Sequence, residues 1–243
     1  MVKQFRDKVS ESENHNSDVS GDYWVSRTKP EAGSDVVLDM FLKGLSRNAA
    51  ILDLGAGTGL YTRKMRERGY FDVTPADPFS KAKGVLKLGA EKLVDVFGDN
   101  NFDAVFCNVV FPWMSKPAES LHSVSQVLEK GGKFFVTVFR ENDEIEKPNG
   151  WQPYTLNSFA KFLDDNDIPL KIEEAYRAPA ISDPDEPQKK QPHFYRHECD
   201  RTPLLIMSCK KTATPEKNLD KNGKLNISEV KISSLSREQV MGM

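Results

Sequence analysis

A glycine-rich turn is the stretch of this sequence whose residue types and spacing point most directly to chemistry. Three alternate glycines occupy residues 55–59, directly after the apolar stretch 50–54. Alternate glycines let the backbone take positive φ and approach a ligand closely. A helix starting near Leu60 would place free N–H groups beside that ligand, which suits a negatively charged group. The sequence therefore predicts a strand, a ligand-binding turn and a helix.

Two familiar ligand classes do not fit this turn. A dinucleotide fingerprint needs a third glycine three residues after the second, and that position is Leu60. A P-loop ends in Gly-Lys-Ser/Thr, which is absent here. An ordinary strand-to-helix turn without a ligand is the alternative interpretation.

Asp77 is the second residue of interest, because it ends the second predicted strand, residues 71–76. In Rossmann-like sites a carboxylate at this place accepts hydrogen bonds from two ribose hydroxyls. The alternative is that Asp77 caps a turn or a helix.

The segment 108–114 follows a nearly continuous apolar strand, residues 102–108, and should lie at the sheet edge where α/β proteins bind ligands. Asn108 offers an amide there, and Phe111 and Trp113 offer two aromatic walls. The alternative is that both aromatic residues belong to the core.

Two histidines in a segment rich in proline and charge, His193 and His197, are the candidates for a general base, with Tyr195 as an orienting group. A surface loop with satisfied histidines is the alternative. With Cys199 they also suggest metal ligands, but no fourth ligand or zinc spacing is apparent, so we predict no metal site.

The run Asp53-Leu-Gly-Ala-Gly-Thr-Gly59 resembles motif I of the class I S-adenosylmethionine-dependent methyltransferases. The loop from Asn108 to Trp113 looks like the Asn-Val-Leu-His-Trp loop of the small-molecule type. The run Val127-Leu-Glu-Lys-Gly-Gly132 resembles the Val-Leu-Lys-Pro-Gly-Gly pattern of that family, with lysine where proline is common. The resemblance covers about residues 22–211 and implies S-adenosyl-L-methionine as cofactor, its methionine carboxylate being the negative end.

The resemblance also implies roles for individual residues. Glu91 follows the third predicted strand, where an acidic residue often meets the adenine amino group; a backbone N–H would serve as well. Tyr23 and Arg27 are similar to an N-terminal lid segment, and the alternative is a docking helix. The implied cofactor-binding set is Asp53, Gly55, Ala56, Gly57, Gly59, Asp77, Glu91, Asn108, Tyr23 and Arg27, and the implied substrate pocket is Phe111, Trp113, Trp151, Tyr154 and Tyr195.

The elements that must position these residues follow from periodicity. Apolar residues at helical spacing predict helices near residues 34–45, 60–68, 117–128 and 156–166. Strands are expected at 50–54, 71–76, 85–90, 102–108, 133–139, 170–176 and 204–209. The predicted fold is α/β: a three-layer Rossmann-like sandwich with a mostly parallel seven-stranded sheet, in which the resemblance makes the last strand antiparallel.

The 243 residues carry a net charge of −2 and suit one α/β domain with tails. We expect a mobile N-terminal arm (1–20), a methyltransferase domain (21–211) and a largely disordered C-terminal tail (212–243). Within the domain, a lid and helix (21–46) and an insertion over the substrate site (178–200) are expected. Three cysteines without a disulfide framework, and no signal peptide or bilayer-length apolar run, favour a cytoplasmic protein.

The expected reaction is in-line methyl transfer to oxygen, nitrogen or sulfur of a small molecule, because aromatic loops surround the predicted site. Nucleic acid is an unexpected partner, since no basic stripe with stacking aromatics appears, and no membrane partner is expected. A protein, peptide or RNA acceptor is the alternative, and a non-catalytic cofactor-binding scaffold is the alternative of another class.

Overall fold

The computed structural model describes residues 34–139, 154–178, 204–226, 230–236 and 239. The helices in these ranges are α1 (Ser34–Leu42), α2 (Leu60–Glu67), α3 (Leu93–Phe97), α4 (Pro117–Val127) and α5 (Leu156–Asp165). The strands are β1 (Ile51–Leu54), β2 (Val73–Ala76), β3 (Phe102–Asn108), β4 (Leu128–Phe139), β5 (Leu170–Ala178), β6 (Leu204–Lys211) and β7 (Lys231–Ser234).

The strands form one sheet in the order β2-β1-β3-β4-β6-β5-β7. Every neighbouring pair is parallel except the two that include β6, which runs antiparallel to β4 and β5. One buried apolar cluster packs α3, α4 and α5 on one face, and a second packs α1 and α2 on the other. The predicted three-layer α/β sandwich, with its antiparallel strand at residue 204, is confirmed.

At one edge of the sheet, a strand that the sequence predicts is not formed. The expected third strand, residues 85–90, is reduced to a single bridge between Ala76 and Leu86. Leu86 donates to the carbonyl of Pro75 and accepts from Asp77 N–H, at 2.9 Å each. Pro75 has no N–H to continue this ladder toward Gly84, so the pairing stops there. The prediction of a strand at 85–90 is therefore wrong.

The other sheet edge is completed by the segment after Lys211, where the sequence predicts a largely disordered tail. The structure pairs β7 with β5 in parallel register and buries Asn218, Leu225 and Val230. For residues 212–226 and 230–236 the prediction of disorder is wrong. The prediction failed because a few isolated aliphatic residues and one asparagine anchor an otherwise polar segment, and such scattered residues give no periodic sequence pattern.

Asn218 fastens this segment to the start of β5. Its Oδ1 accepts from Ile172 N–H at 2.9 Å, and its Nδ2 donates to Leu170 O and Asp164 Oδ1 at 3.1 Å each. Ile172 and Leu170 are themselves buried. The side chain thus supplies hydrogen bonds that a neighbouring strand would otherwise make.

We expect Asn218→Ala to lower the free energy of unfolding by about 3 kcal/mol, because it leaves a buried N–H and a buried carbonyl without partners. Urea denaturation measures the change. The matched control is Asn222→Ala, since Asn222 is exposed in the adjacent turn and uses its backbone N–H there. Equal, small losses in both variants would show that the Asn218 contacts do not stabilise the fold.

Candidate active site

The glycine-rich turn connects β1 to α2 and has the strained backbone that its composition predicts. Gly55, Gly57 and Gly59 have φ values of 74°, 52° and 73°. At Gly55 there is also a close approach, because a Cβ there would lie 2.1 Å from a side-chain carbon of Val110. The turn after β1 and the loop after β3 are therefore in direct contact, and this contact requires a glycine.

Four N–H groups of the turn are hydrogen-bonded within the chain. Gly55 and Ala56 donate to the carbonyl of Ala76 at 2.7 and 3.1 Å, and Gly59 donates to Ala56 O at 2.7 Å. Gly57 N–H donates to Asp77 Oδ2 at 3.0 Å. These bonds hold the turn against the end of β2; the expectation of donors for an anion concerns the N–H groups at the start of α2 and stays a prediction.

Asp77 lies at the tip of β2, half-buried, with its carboxylate against the turn. Besides Gly57, it accepts from Phe79 N–H through Oδ1 at 2.8 Å. Ser80, three residues further on and fully buried, donates its hydroxyl to Gly57 O at 2.6 Å. The end of β2 thus holds both polar groups of Gly57. Asp77 therefore caps the turn that follows β2, as the alternative to ribose binding supposed, and its carboxylate also faces the glycine turn.

Asp53, in β1, adds a second carboxylate behind the turn. It is 2% exposed, and its Oδ2 accepts from Thr62 Oγ1 at 2.5 Å. Burial raises the pKa of Asp53 to about 6, against the lowering effect of the hydrogen bonds from Thr62. Asp53 and Asp77 make the local potential negative at neutral pH, which favours a cationic group near the turn.

The raised pKa of Asp53 predicts a pH-dependent stability. The folded state binds this proton more tightly than the unfolded state, so the contribution is complete below about pH 4 and is lost as the pH rises to about 6. Relative to Asp53→Asn, we expect the wild-type free energy of unfolding to fall by up to about 3 kcal/mol between pH 4 and pH 7. Urea denaturation at several pH values tests this. A constant difference between the two proteins would contradict the burial effect.

Glu91 lies in a 3-10 turn, Ala90–Lys92, after the bridge at Leu86. Its carboxylate folds back over Gly89: a Cβ at Gly89 would lie 2.6 Å from Glu91 Oε1. Glu91 therefore places its carboxylate where a side chain at position 89 would otherwise be, on the β2 side of the sheet.

Asn108 ends β3 beside its register partner Thr137 in β4. Its Oδ1 accepts from Thr137 Oγ1 at 2.6 Å, and its Nδ2 donates to the hydroxyl of Tyr61 in α2 at 2.8 Å. The next residue, Val109, has φ 56°, which is a strained value for a β-branched residue. This arrangement lies at the carboxyl edge of the sheet, next to Val110 and the glycine turn.

The aromatic residues after Asn108 separate onto the two faces of the sheet. Phe111 is 1% exposed and packs against Tyr154, Phe159 and Phe162 at ring distances of 5.3 to 5.7 Å. Phe111 and the buried Tyr154 thus lie in the core beneath α5, and their assignment to a substrate pocket stays a prediction. The 3-10 turn Phe111–Trp113 directs the Phe111 ring inward.

Trp113 packs against the opposite cluster, with α1 and α2, and is only partly buried. Its indole N–H is buried and has no hydrogen-bond partner in the described ranges. It is the one described aromatic residue of the predicted pocket that is not in the core beneath α5. The other predicted site residues, Tyr23, Arg27, Trp151, His193, Tyr195 and His197, lie outside the described residues.

Sequence reasoning missed the residues that support this site: Thr62 under Asp53, Ser80 under Gly57, and Thr137 with Tyr61 around Asn108. A hydroxyl residue three positions after Asp77 was a weak local signal for Ser80. Thr137 had none, because its partner is 29 residues away and the two meet only through strand register.

The doubly covered parallel sheet, with a glycine turn joined to the tip of the neighbouring strand, defines a Rossmann-like fold of the class I methyltransferase type. A family described as "Methyltransferase domain" matches residues 26–167, more than half of the chain. The chain therefore belongs to this methyltransferase family, whose class I members use S-adenosylmethionine.

Among curated proteins, an uncharacterized methyltransferase of Mycobacterium tuberculosis is 34% identical over 115 residues, covering 44% of this chain and 45% of that protein. A malonyl-[acyl-carrier protein] O-methyltransferase of Ilyobacter polytropus is 24% identical over 120 residues, covering 45% of each. The chain thus spans about half the length of the curated relatives it matches.

Among solved structures, a Burkholderia thailandensis 1,6-didemethyltoxoflavin-N1-methyltransferase, with 1,6-didemethyltoxoflavin and S-adenosylhomocysteine bound, has a TM-score of 0.59. It is 18% identical, with 79% of this chain and 81% of that one covered. This likeness concerns the fold.

Proposed function

We propose that this chain transfers a methyl group from S-adenosylmethionine to a small-molecule acceptor. The observation that carries the proposal is the Gly55–Gly59 turn hydrogen-bonded to the Asp77 carboxylate, because this pairs a bare backbone surface with a ribose-binding group. Membership of the methyltransferase family supports the same cofactor.

The residues around the turn fit an adenosyl sulfonium. Asp77 stands at the strand tip where a ribose diol is bound in Rossmann-like sites, and Glu91, over Gly89, is the candidate for the adenine amino group. Gly55, Ala56, Gly57 and Gly59 present backbone without large side chains. Asp53 and Asp77 give a negative potential that suits the positive charge of the sulfonium and of the methionine ammonium.

The bound cofactor would supply an activated methyl group, and the chain's own residues would supply position. In-line displacement is accelerated chiefly by holding two reactants in the correct geometry. Asn108 and Trp113, beyond β3, are the residues we assign to the acceptor side, because Val110 connects that loop to the cofactor turn. We retain Tyr23 and Arg27 as lid residues and His193 or His197 as a base for acceptors that must lose a proton.

Cys107, also near the end of β3, is not assigned a catalytic role. It is fully buried, and this burial raises the pKa of its thiol to about 12, so it stays protonated at neutral pH.

Two of the similar proteins bear on the class of the methyl acceptor. The neighbour named as a 1,6-didemethyltoxoflavin-N1-methyltransferase, solved with 1,6-didemethyltoxoflavin bound, favours a small molecule. The malonyl carrier-protein relative favours, as a second candidate, an acyl group carried by a protein.

No helix in the described part of the chain is long and apolar enough to cross a bilayer.

Incubation with methyl-labelled S-adenosylmethionine and cell extract, followed by separation by size, tests this proposal. Label in the small-molecule fraction would support it, and label on macromolecules would support the second candidate. Binding of S-adenosylhomocysteine in calorimetry without transfer to either fraction would favour a non-catalytic cofactor-binding scaffold and would contradict the proposal.

A further inference from the structure

The hydrogen bonds around Asn108 form one connected network. A backbone N–H can only donate, and Val109 N–H donates to Thr137 Oγ1 at 2.8 Å as well as to Thr137 O at 3.2 Å. The Thr137 hydroxyl accepts from Val109 and donates to Asn108 Oδ1, 2.6 Å away.

The orientation of the Asn108 carboxamide follows from that network. Oxygen and nitrogen of an amide are assigned from the surrounding network, and here the network gives the oxygen to Thr137. With Oδ1 on the Thr137 side, Nδ2 lies on the side of Tyr61 and donates to its hydroxyl at 2.8 Å. The chain of bonds thus runs from the strained Val109, through buried Thr137 and Asn108, to the first turn of α2.

We infer that Thr137 and Tyr61 are positioning residues that hold Asn108 with its nitrogen side toward the acceptor site. The inference rests on the proposed function, because it concerns what Asn108 does in methyl transfer. In the described ranges Nδ2 donates only to Tyr61, so its second proton is left for a ligand. The substrate group that Asn108 holds is then one that offers a lone pair, such as a carbonyl or carboxylate oxygen.

The strained residue supports a functional rather than a purely structural arrangement. A β-branched residue with φ 56° persists only where its surroundings determine it, and such residues concentrate at functional sites. Here both hydrogen bonds from Val109 N–H go to Thr137. Thr137 therefore fixes the backbone after Asn108 and the side chain of Asn108 at the same time.

Three substitutions test the inference. Thr137→Val keeps the branched shape in a fully buried position but removes the hydroxyl, and Thr137→Ser restores the hydroxyl. Thr74→Val is the matched control, because Thr74 is a half-buried strand threonine in β2 outside this network. Each variant is compared for S-adenosylhomocysteine affinity, rate of label transfer from S-adenosylmethionine to the small-molecule fraction, and the side-chain amide signals of Asn108 in ¹H–¹⁵N spectra.

For Thr137→Val we expect methyl transfer to slow by about 10- to 100-fold, with the affinity for S-adenosylhomocysteine unchanged. Thr137→Ser and Thr74→Val should transfer the methyl group at close to the wild-type rate. The Asn108 amide protons should be well resolved and slow to exchange in the wild type and the serine variant, but not in the valine variant. Asn108 signals that are the same in both Thr137 variants, or a wild-type transfer rate in Thr137→Val, would overturn the inference.

A different result would contradict the proposed function. If the wild type binds S-adenosylhomocysteine but transfers label to nothing, methyl transfer is contradicted, and the amide signals still decide whether Thr137 orients Asn108. Asn108→Asp adds a check on direction, since it replaces a donor with an acceptor. We expect it to lose transfer while Thr137→Ser does not.

Discussion

Gly55→Ala is expected to lower the free energy of unfolding by about 2–5 kcal/mol and to abolish measurable cofactor binding. Part of this loss comes from the backbone, because φ 74° costs an alanine about 1–2 kcal/mol. The rest comes from overpacking, because the new Cβ would lie 2.1 Å from Val110, and relieving such a clash costs about 1–3 kcal/mol. Urea denaturation and calorimetry with S-adenosylhomocysteine measure the two effects.

Gly44→Ala separates these two causes. Gly44 has φ 80°, but a Cβ there would meet nothing within 4 Å. Gly44→Ala therefore introduces the backbone strain alone. Its free energy of unfolding should fall by only about 1–2 kcal/mol, with cofactor affinity unchanged. If both alanine variants lose the same stability and both bind the cofactor, the contact between the glycine turn and Val110 has no consequence.

Asp77→Asn is expected to weaken S-adenosylhomocysteine binding by about 100-fold or more. A carboxylate bound to two ribose hydroxyls contributes about 1.5–3 kcal/mol for each hydrogen bond, and each 1.4 kcal/mol is a factor of ten in affinity. The amide keeps the size of the side chain and one oxygen, so it can still accept from Gly57 N–H but loses the bond from Phe79 N–H. Calorimetric titration gives the ratio of dissociation constants.

Asp72→Asn is the control for this charge. Asp72 is an exposed carboxylate just before the opposite end of β2, and its backbone carbonyl accepts from Ile51 N–H in β1. The Asp72→Asn variant removes the same charge next to the same strand without touching the turn. Equal weakening by both variants would mean that net charge, and not the position of Asp77, governs binding.

Local patterns sufficed to predict the part of the site built from adjacent residues. The turn at Gly55–Gly59 and the carboxylate at the end of β2 were readable because each depends on glycine spacing or on a strand boundary. Strand β3 and helix α4 were also readable, since long apolar runs and a proline start define them. These predictions needed no knowledge of which residues meet in space.

The remainder depends on tertiary contacts that leave no local pattern. The 3-10 turn directs Phe111, a predicted pocket residue, under α5. β7 is a four-residue strand with largely exposed side chains, and it forms because β5 offers an edge. The bonds from Thr137 to Asn108 and from Asn218 to Ile172 join residues 29 and 46 positions apart, so only the folded sheet reveals them.

The central claim is that the adenosyl group of the cofactor lies between the Gly55–Gly59 turn and Asp77. A crystal structure of the intact chain with S-adenosylhomocysteine tests it most directly. We predict both ribose hydroxyls within hydrogen-bonding distance of the Asp77 carboxylate and the thioether next to the turn, facing Asn108. A ligand bound elsewhere, or a ribose turned away from Asp77, would contradict this account.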